Sequence, residues 1–198
     1  MSNRIYTIGR EFGSGGREIG QKLANELGIQ CYDSRLIEMA SKDGNIDIEL
    51  LKPVEEKRAS SLLYSMYYEY AADVNGYGVP MNDKLHSLQS DVIRKLAERE
   101  SCIIIGRCAD YELAEFDNVC SAFIFADLDA RIDRIMKRYK VDEKTAKNMI
   151  KKYDKQRKNY YNFYTGLEWG GRDTYDICMN SSTLGIDTCV NILKAYGE

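Results

Sequence analysis

Ile8-Gly9-Arg10-Glu11-Phe12-Gly13-Ser14-Gly15-Gly16-Arg17-Glu18-Ile19-Gly20 follows an apolar run, Arg4-Ile5-Tyr6-Thr7-Ile8, and opens a segment of helical period. Four glycines, Gly9, Gly13, Gly15 and Gly16, fall within eight positions of it. Glycine lets the backbone turn tightly and aim N–H groups inward, and a helix N-terminus adds roughly half a positive charge at the same place. Strand, glycine-rich turn and helix start in that order make a cradle for a phosphate group. Gly9, Arg10, Gly13, Ser14, Gly15, Gly16, Arg17 and Glu18 are therefore the expected phosphate-binding set. The competing reading, an ordinary strand-to-helix connection, rarely needs so many glycines.

The loop departs from the phosphate-loop pattern G-x-x-x-x-G-K-[ST]. Aligning Gly13-Ser14-Gly15 with the usual Gly-Ser-Gly puts Gly16 at the lysine position and Glu18 at the hydroxyl position. Sliding by one puts Arg17 at the lysine position instead. Arg17 is then the expected substitute, with planar bidentate geometry in place of a point charge. Its other reading is a first-turn surface residue, unfavourably placed for the helix dipole.

Outward from the loop, Ile19, Leu23, Ala24 and Leu27 share one helical face, and Gly28 suits a C-cap. Ile29–Tyr32 reads as a short second strand, followed by a helix through Ala40 with Asp33 or Ser34 as N-cap. Further strands are expected at Cys102–Ile105, Ala122–Phe125 and Tyr175–Met179, with helices at Leu85–Glu98, Ala130–Tyr139, Glu143–Asn162 and Ile186–Tyr196. Five short apolar strands alternating with helices predict an α/β fold: a five-stranded parallel sheet with helices on both faces. Two stretches break the rhythm, a helical one at about residues 42–84 and a charged, tyrosine-rich one at about 140–173. Both read as insertions capping one edge of a single domain. Tyr64, Tyr67 and Tyr68 repeat at i, i+3, i+4 in the first of them, as a core or subunit contact would, which leaves a homo-oligomer open.

The 198 residues are 44% apolar and 30% charged with a net charge of −3, which excludes wholesale disorder and argues against general nucleic-acid binding. No stretch approaches the roughly 20 apolar residues that span a bilayer, and Met1–Ile5 lacks a signal-like apolar region. A soluble, cytoplasmic protein with reduced, structural thiols is expected. The six cysteines form no C-x-x-C pair, and the lone histidine, His86, sits in a polar helical stretch and reads as solvated.

Arg107 follows an apolar strand end, where parallel sheets bind their ligands, and is expected to clamp an acceptor phosphate. A salt bridge to Asp33 or Asp110 is the alternative. Asp33 and Arg35 follow the second strand at the same edge and carry the same expectation.

These residues together bring out a likeness. The loop Thr7–Ile19, Ile104-Ile105-Gly106-Arg107, Asp154-Lys155-Gln156-Arg157 and Asn180–Asp187 resemble, in order along nearly the whole chain, elements of the cytidylate kinase-like family. The resemblance implies a three-layer P-loop kinase fold, ATP with magnesium as donor and a nucleotide as small-molecule acceptor. It implies a lid in which Asp154 and Arg157 act; with Arg134 as helper on the preceding helix, and Arg17 substituting for the absent lysine, Arg17 and Arg157 are the expected catalytic charges. The lysines of Lys151–Lys158 read as a solvated face. Ile105 and Cys108 stand where ordinary cytidylate kinases carry acidic residues. Asp110 either supplies the missing charge or faces solvent. The rival functions are a nucleotide-binding sensor without catalysis and a P-loop kinase of a non-nucleotide acceptor.

Overall fold

Runs of Ile, Val, Phe and Cys form five parallel strands: β1 (Ile5–Arg10), β2 (Gln30–Tyr32), β3 (Cys102–Ile105), β4 (Val119–Phe125) and β5 (Ile177–Asn180). The computed structural model describes residues 3–33, 35–49 and 81–197. Ser34, the tyrosine stripe at 64, 67 and 68 and most of the first insertion lie outside the described residues. The strand order is β2-β3-β1-β4-β5. Ile8 pairs with Ile105 on one side of β1 and with Ala122 on the other. Among the described residues the helices are α1 (Gly16–Leu27), α2 (Arg35–Asp43), α3 (Met81–Arg99), α4 (Ala109–Glu112), α5 (Leu128–Tyr139), α6 (Glu143–Thr165), α7 (Ser181–Leu184) and α8 (Ile186–Tyr196).

Alternation along each strand divides the core in two. Tyr6, Ile8, Ile103, Ile105 and Ile124 face Ile19 and Leu23 of α1 and Val190 and Leu193 of α8. Ile5, Cys102 and Ile104 face Leu36 of α2 and Val92, Ile93 and Leu96 of α3. Central strands buried on both faces read as unbroken apolar runs, and β3 is buried at every position. The chain leaves β1 toward one face and β3 toward the other, which opens a crevice between their carboxyl ends. Helices α5 and α6 pack together through Ile132, Ile135, Ala146 and Ile150, with Phe12 of the glycine loop against them.

The observed elements differ from the expected ones at their ends. Helix α1 begins at Gly16, three residues before its first apolar position, because Gly15 takes the left-handed state that caps it. Helix α6 continues past Asn162 to Thr165 and stops at Gly166, whose N–H returns to the Asn162 carbonyl. Strand β5 begins at Ile177: the Asp176 carboxylate instead accepts from the Ser121 N–H and hydroxyl. The six cysteines are free thiols.

Candidate active site

Positive φ at Gly13 and Gly15, +86° at both, bends the chain between β1 and α1 into a loop that a side-chain-bearing residue would strain. Ser14 between them is buried. Its hydroxyl donates to the Glu11 carbonyl at 3.0 Å, and its own carbonyl accepts from Ser181. The serine hydroxyl thus holds the loop's shape, while α1 begins with N–H groups that have no intrahelical acceptor. Gly9 lies within β1, where a Cβ would come 2.8 Å from Phe123 and 2.9 Å from the Tyr175 hydroxyl. Its need for glycine is one of packing.

A cleft of about 140 Å³ opens over the loop, and Arg10, Arg17, Arg134, Arg138 and Arg157 line it with Glu11, Glu18 and Asp33. Arg17 is half exposed and pairs through Nε with Asp33 at 3.0 Å; Arg10 approaches the same carboxylate at 3.6 Å. Burial pushes the Glu11 carboxyl up, opposed by the Ala126 N–H and Arg131. The Arg134 guanidinium stands directly on the loop: a Cβ on Gly15 would lie 1.9 Å from its Nη1. Among the described residues that buried Nη1 has no hydrogen-bond partner.

Asp154 and Arg157 reach the loop from α6. Asp154 accepts the Phe12 N–H at 2.7 Å, and Arg157 Nη1 donates to the Arg10 carbonyl at 3.0 Å with its guanidinium 5.5 Å from the Phe12 ring. Phe12 also stacks on Tyr153, ring centroids 4.5 Å apart. The residue that ties these together is Arg131, which the sequence reading missed. Its buried guanidinium meets Glu11 at 3.0 Å, donates to the Phe12 carbonyl at 2.9 Å and pairs with Asp154. The sequence carried no signal for it, since on its own helix Arg131 is one charge among several.

After β3, Arg107 is buried and is not among the residues that line the cleft, and desolvation lowers its pKa against the pull of Tyr160 and Asp33. Gly106 before it makes room for Arg10, whose Nη1 would lie 1.9 Å from a Cβ there. Arg35 begins α2 and is exposed, and it is absent from the residues that line the cleft. Asp110 does not face solvent, a correction to that reading: it is partly buried, and Tyr161 Oη donates to its Oδ2 at 2.5 Å. His86 is not solvated either. It stacks on Tyr164 with centroids 3.8 Å apart, bonds the Tyr160 hydroxyl at 3.1 Å through Nδ1 and sits 3.5 Å from Glu112. Burial lowers its pKa.

Burial pushes the Asp110 carboxyl up to about 6, against the Tyr161 hydroxyl and the N–H groups of Asp110 and Tyr111. An unfolded chain titrates it near pH 4. The folded state therefore holds a proton that the unfolded state releases, and this group's contribution to stability falls as pH rises from about 4 to about 6. Asp110→Asn abolishes that fall. Urea unfolding at pH 4, 5, 6 and 7 is expected to show the variant gaining on the native chain by about 1–2 kcal/mol across the window and no further above it. A gap independent of pH would mean that Asp110 titrates as an ordinary surface carboxylate.

Comparison with known proteins agrees with this geometry. The profile of the cytidylate kinase-like family matches residues 5–183. A cytidylate kinase from Methanopyrus kandleri is 24% identical over 96% of this chain and 91% of its own. The crystal structure of an uncharacterized protein from Eubacterium ventriosum is 35% identical, with a TM-score of 0.74 over 98% of both chains. Shikimate kinase from Bacteroides thetaiotaomicron, 16% identical, superposes with a TM-score of 0.54 over 98% of this chain and 97% of its own, a likeness of fold alone. The sheet of five parallel strands with helices on both faces is the P-loop kinase fold, and the chain belongs to the cytidylate kinase-like family.

Proposed function

We propose that the protein transfers the γ-phosphoryl group of ATP to a small phosphate-bearing acceptor, as a nucleoside monophosphate kinase does. The observation that carries this reading is the glycine loop with Arg134 upon it: a backbone cradle at a helix start, and a buried guanidinium nitrogen over Gly15 with no protein partner among the described residues. A polyphosphate fits both. The N–H groups of Gly15 to Glu18 would hold the donor's β-phosphate. Arg134 and Arg157 would face it from α5 and α6, and Arg17 would join them on exchanging Asp33 for phosphate. The acceptor's phosphate would lie toward Arg107, and being anionic already it needs no general base. Phosphoryl transfer depends mainly on placement and on neutralising charge, the work these arginines can do.

Among the described residues no group of three or more His, Cys, Asp or Glu side chains converges on a metal site. Magnesium fits the reading as a partner of the nucleotide's own phosphates, with Glu18 and Asp33 the carboxylates at hand. When bound it supplies further neutralisation of the triphosphate. A second reading, a nucleotide sensor without turnover, draws on the absence of a lysine and a hydroxyl at the start of α1.

Turnover with ATP, magnesium and each common nucleoside monophosphate decides between them. Acceptor-dependent ADP release supports the kinase; nucleotide binding without it supports the sensor. With the active acceptor, Arg107→Ala is expected to raise the acceptor KM about tenfold and the ATP KM less than twofold. The reverse split would place Arg107 on the donor side.

A further inference from the structure

The turn after β3 is held in an uncommon backbone state. Gly106, Arg107 and Cys108 have φ of +71°, +62° and +55°. For a residue with a side chain the left-handed region costs about 1 kcal/mol or more, and it persists where the surroundings over-determine it. Locally the Ala109 N–H meets the Gly106 carbonyl at 3.2 Å, and the Glu112 N–H meets the Cys108 carbonyl at 2.9 Å. A further restraint comes from across the molecule, where Tyr161 donates to Asp110 just beyond the turn. Cys108, Tyr161, Tyr175 and Phe123 close around it as one buried cluster.

Tyr161 belongs to α6, and so do the two residues that hold the glycine loop. Asp154 takes the Phe12 N–H and Arg157 gives to the Arg10 carbonyl. Positions 154, 157 and 161 are spaced i, i+3, i+7 and share one side of a helix. That helix is capped at both ends: the Asp142 carboxylate accepts from the Thr145 N–H, and Gly166 closes the other end. One continuous element therefore touches the donor cradle and the acceptor turn.

Resting on the donor and acceptor reading above, we propose that Tyr161 and Asp110 are positioning residues that fasten the Arg107 turn to α6, so that the acceptor arginine is placed when α6 sits on the glycine loop. Neither residue touches the reacting groups. Asp154 and Arg157 fix the height of α6 over the loop, Tyr161 carries that height to Asp110, and α4 passes it to the turn. A ligand that tightens the loop against α6 then tightens the turn as well.

Amide hydrogen exchange on the full chain tests this, comparing the native protein with Tyr161→Phe, which keeps the ring and loses the hydroxyl. Each is measured free and saturated with magnesium ADP. Without ligand, amides of residues 106–113 are expected to exchange at least tenfold faster in Tyr161→Phe, about 1.4 kcal/mol, with β1 and β4 unchanged. Equal exchange at 106–113, or faster exchange across the whole sheet, overturns the proposal whether or not nucleotide binds. Asp110→Asn keeps an acceptor oxygen and is expected to retain the native pattern, a rescue that general loosening would not give. With ADP, slowing is expected at 11–18 and at 106–113 in the native chain, and at 11–18 alone in Tyr161→Phe. Slowing at 11–18 alone in the native chain overturns the coupling and leaves the donor site standing. No slowing at 11–18 in either protein rejects the donor site, and the ligand-free comparison then decides the fastening by itself.

Discussion

Arg131→Met is expected to cost about 3–5 kcal/mol of stability, the loss typical of breaking one side of a buried ion network. Arg131 is 6% exposed and meets two carboxylates and a carbonyl from two distant stretches of the chain, Glu11 and Phe12 in the glycine loop and Asp154 on α6. Methionine fills much of the same volume, so the loss is one of charge and hydrogen bonding. Glu11 and Asp154 are then left facing each other without a cation, and burial already pushes the Glu11 proton affinity up. For a chain of this length such a loss lowers the melting temperature by roughly 6–20 °C. Melting in low salt is the measurement, and a shift under 2 °C would show that Arg131 is not the bracket between the glycine loop and α6. Nucleotide affinity should fall as well, because Asp154 loses the partner that orients it toward Phe12.

The second large effect is expected at Gly15. Gly15→Val should weaken magnesium ATP binding at least a hundredfold, about 2.7 kcal/mol, in a chain that still folds. Two causes add. A β-branched residue is a poor occupant of φ +86°, and its Cβ would sit 1.9 Å from Arg134 Nη1 and 2.7 Å from Ile186 Cδ1. The arginine can swing away, but doing so removes the cation from the cradle. Gly28→Ala separates the two causes: φ there is +66°, and a Cβ meets nothing within 4 Å. That control should show a small loss of stability and unchanged nucleotide affinity. Calorimetry with ATP on the folded variants reads both, and a Gly15→Val chain that binds ATP normally would remove the loop from the donor site.

The glycine loop was legible because its chemistry is local: four glycines between a strand and a helix leave few other purposes. The same holds for the strands, whose apolar runs survive burial on both faces. Arg131 was illegible for the opposite reason. Its partners stand 120 positions before it and 23 after it, and on its own helix it is one charge among several. His86 was misread on the same ground, since Lys84, Ser87 and Gln89 around it on α3 are polar while the rings that bury it, Tyr160 and Tyr164, come from α6. Arg17 was expected near phosphate or as a first-turn surface residue; Asp33 holds it, and Glu11 belongs to Arg131. Asp110 shows how little spacing says about a carboxylate's surroundings, because a four-residue helix decides that it turns inward toward Tyr161. Helices as short as α4 and α7 have no period to detect.

The cysteines of the sheet give the fold a built-in clock. Burial pushes the thiols of Cys102 and Cys120 up to about 12 and that of Cys31 to about 11. Alkylation needs the thiolate, which an unfolded chain forms near pH 8.5 and these three sites almost never form while the sheet is closed. At Cys102 and Cys120, which are also buried, modification at mildly alkaline pH therefore advances as strands come apart. The rate at Cys102 on β3 against that at Cys120 on β4 tells which side of the central strand opens first.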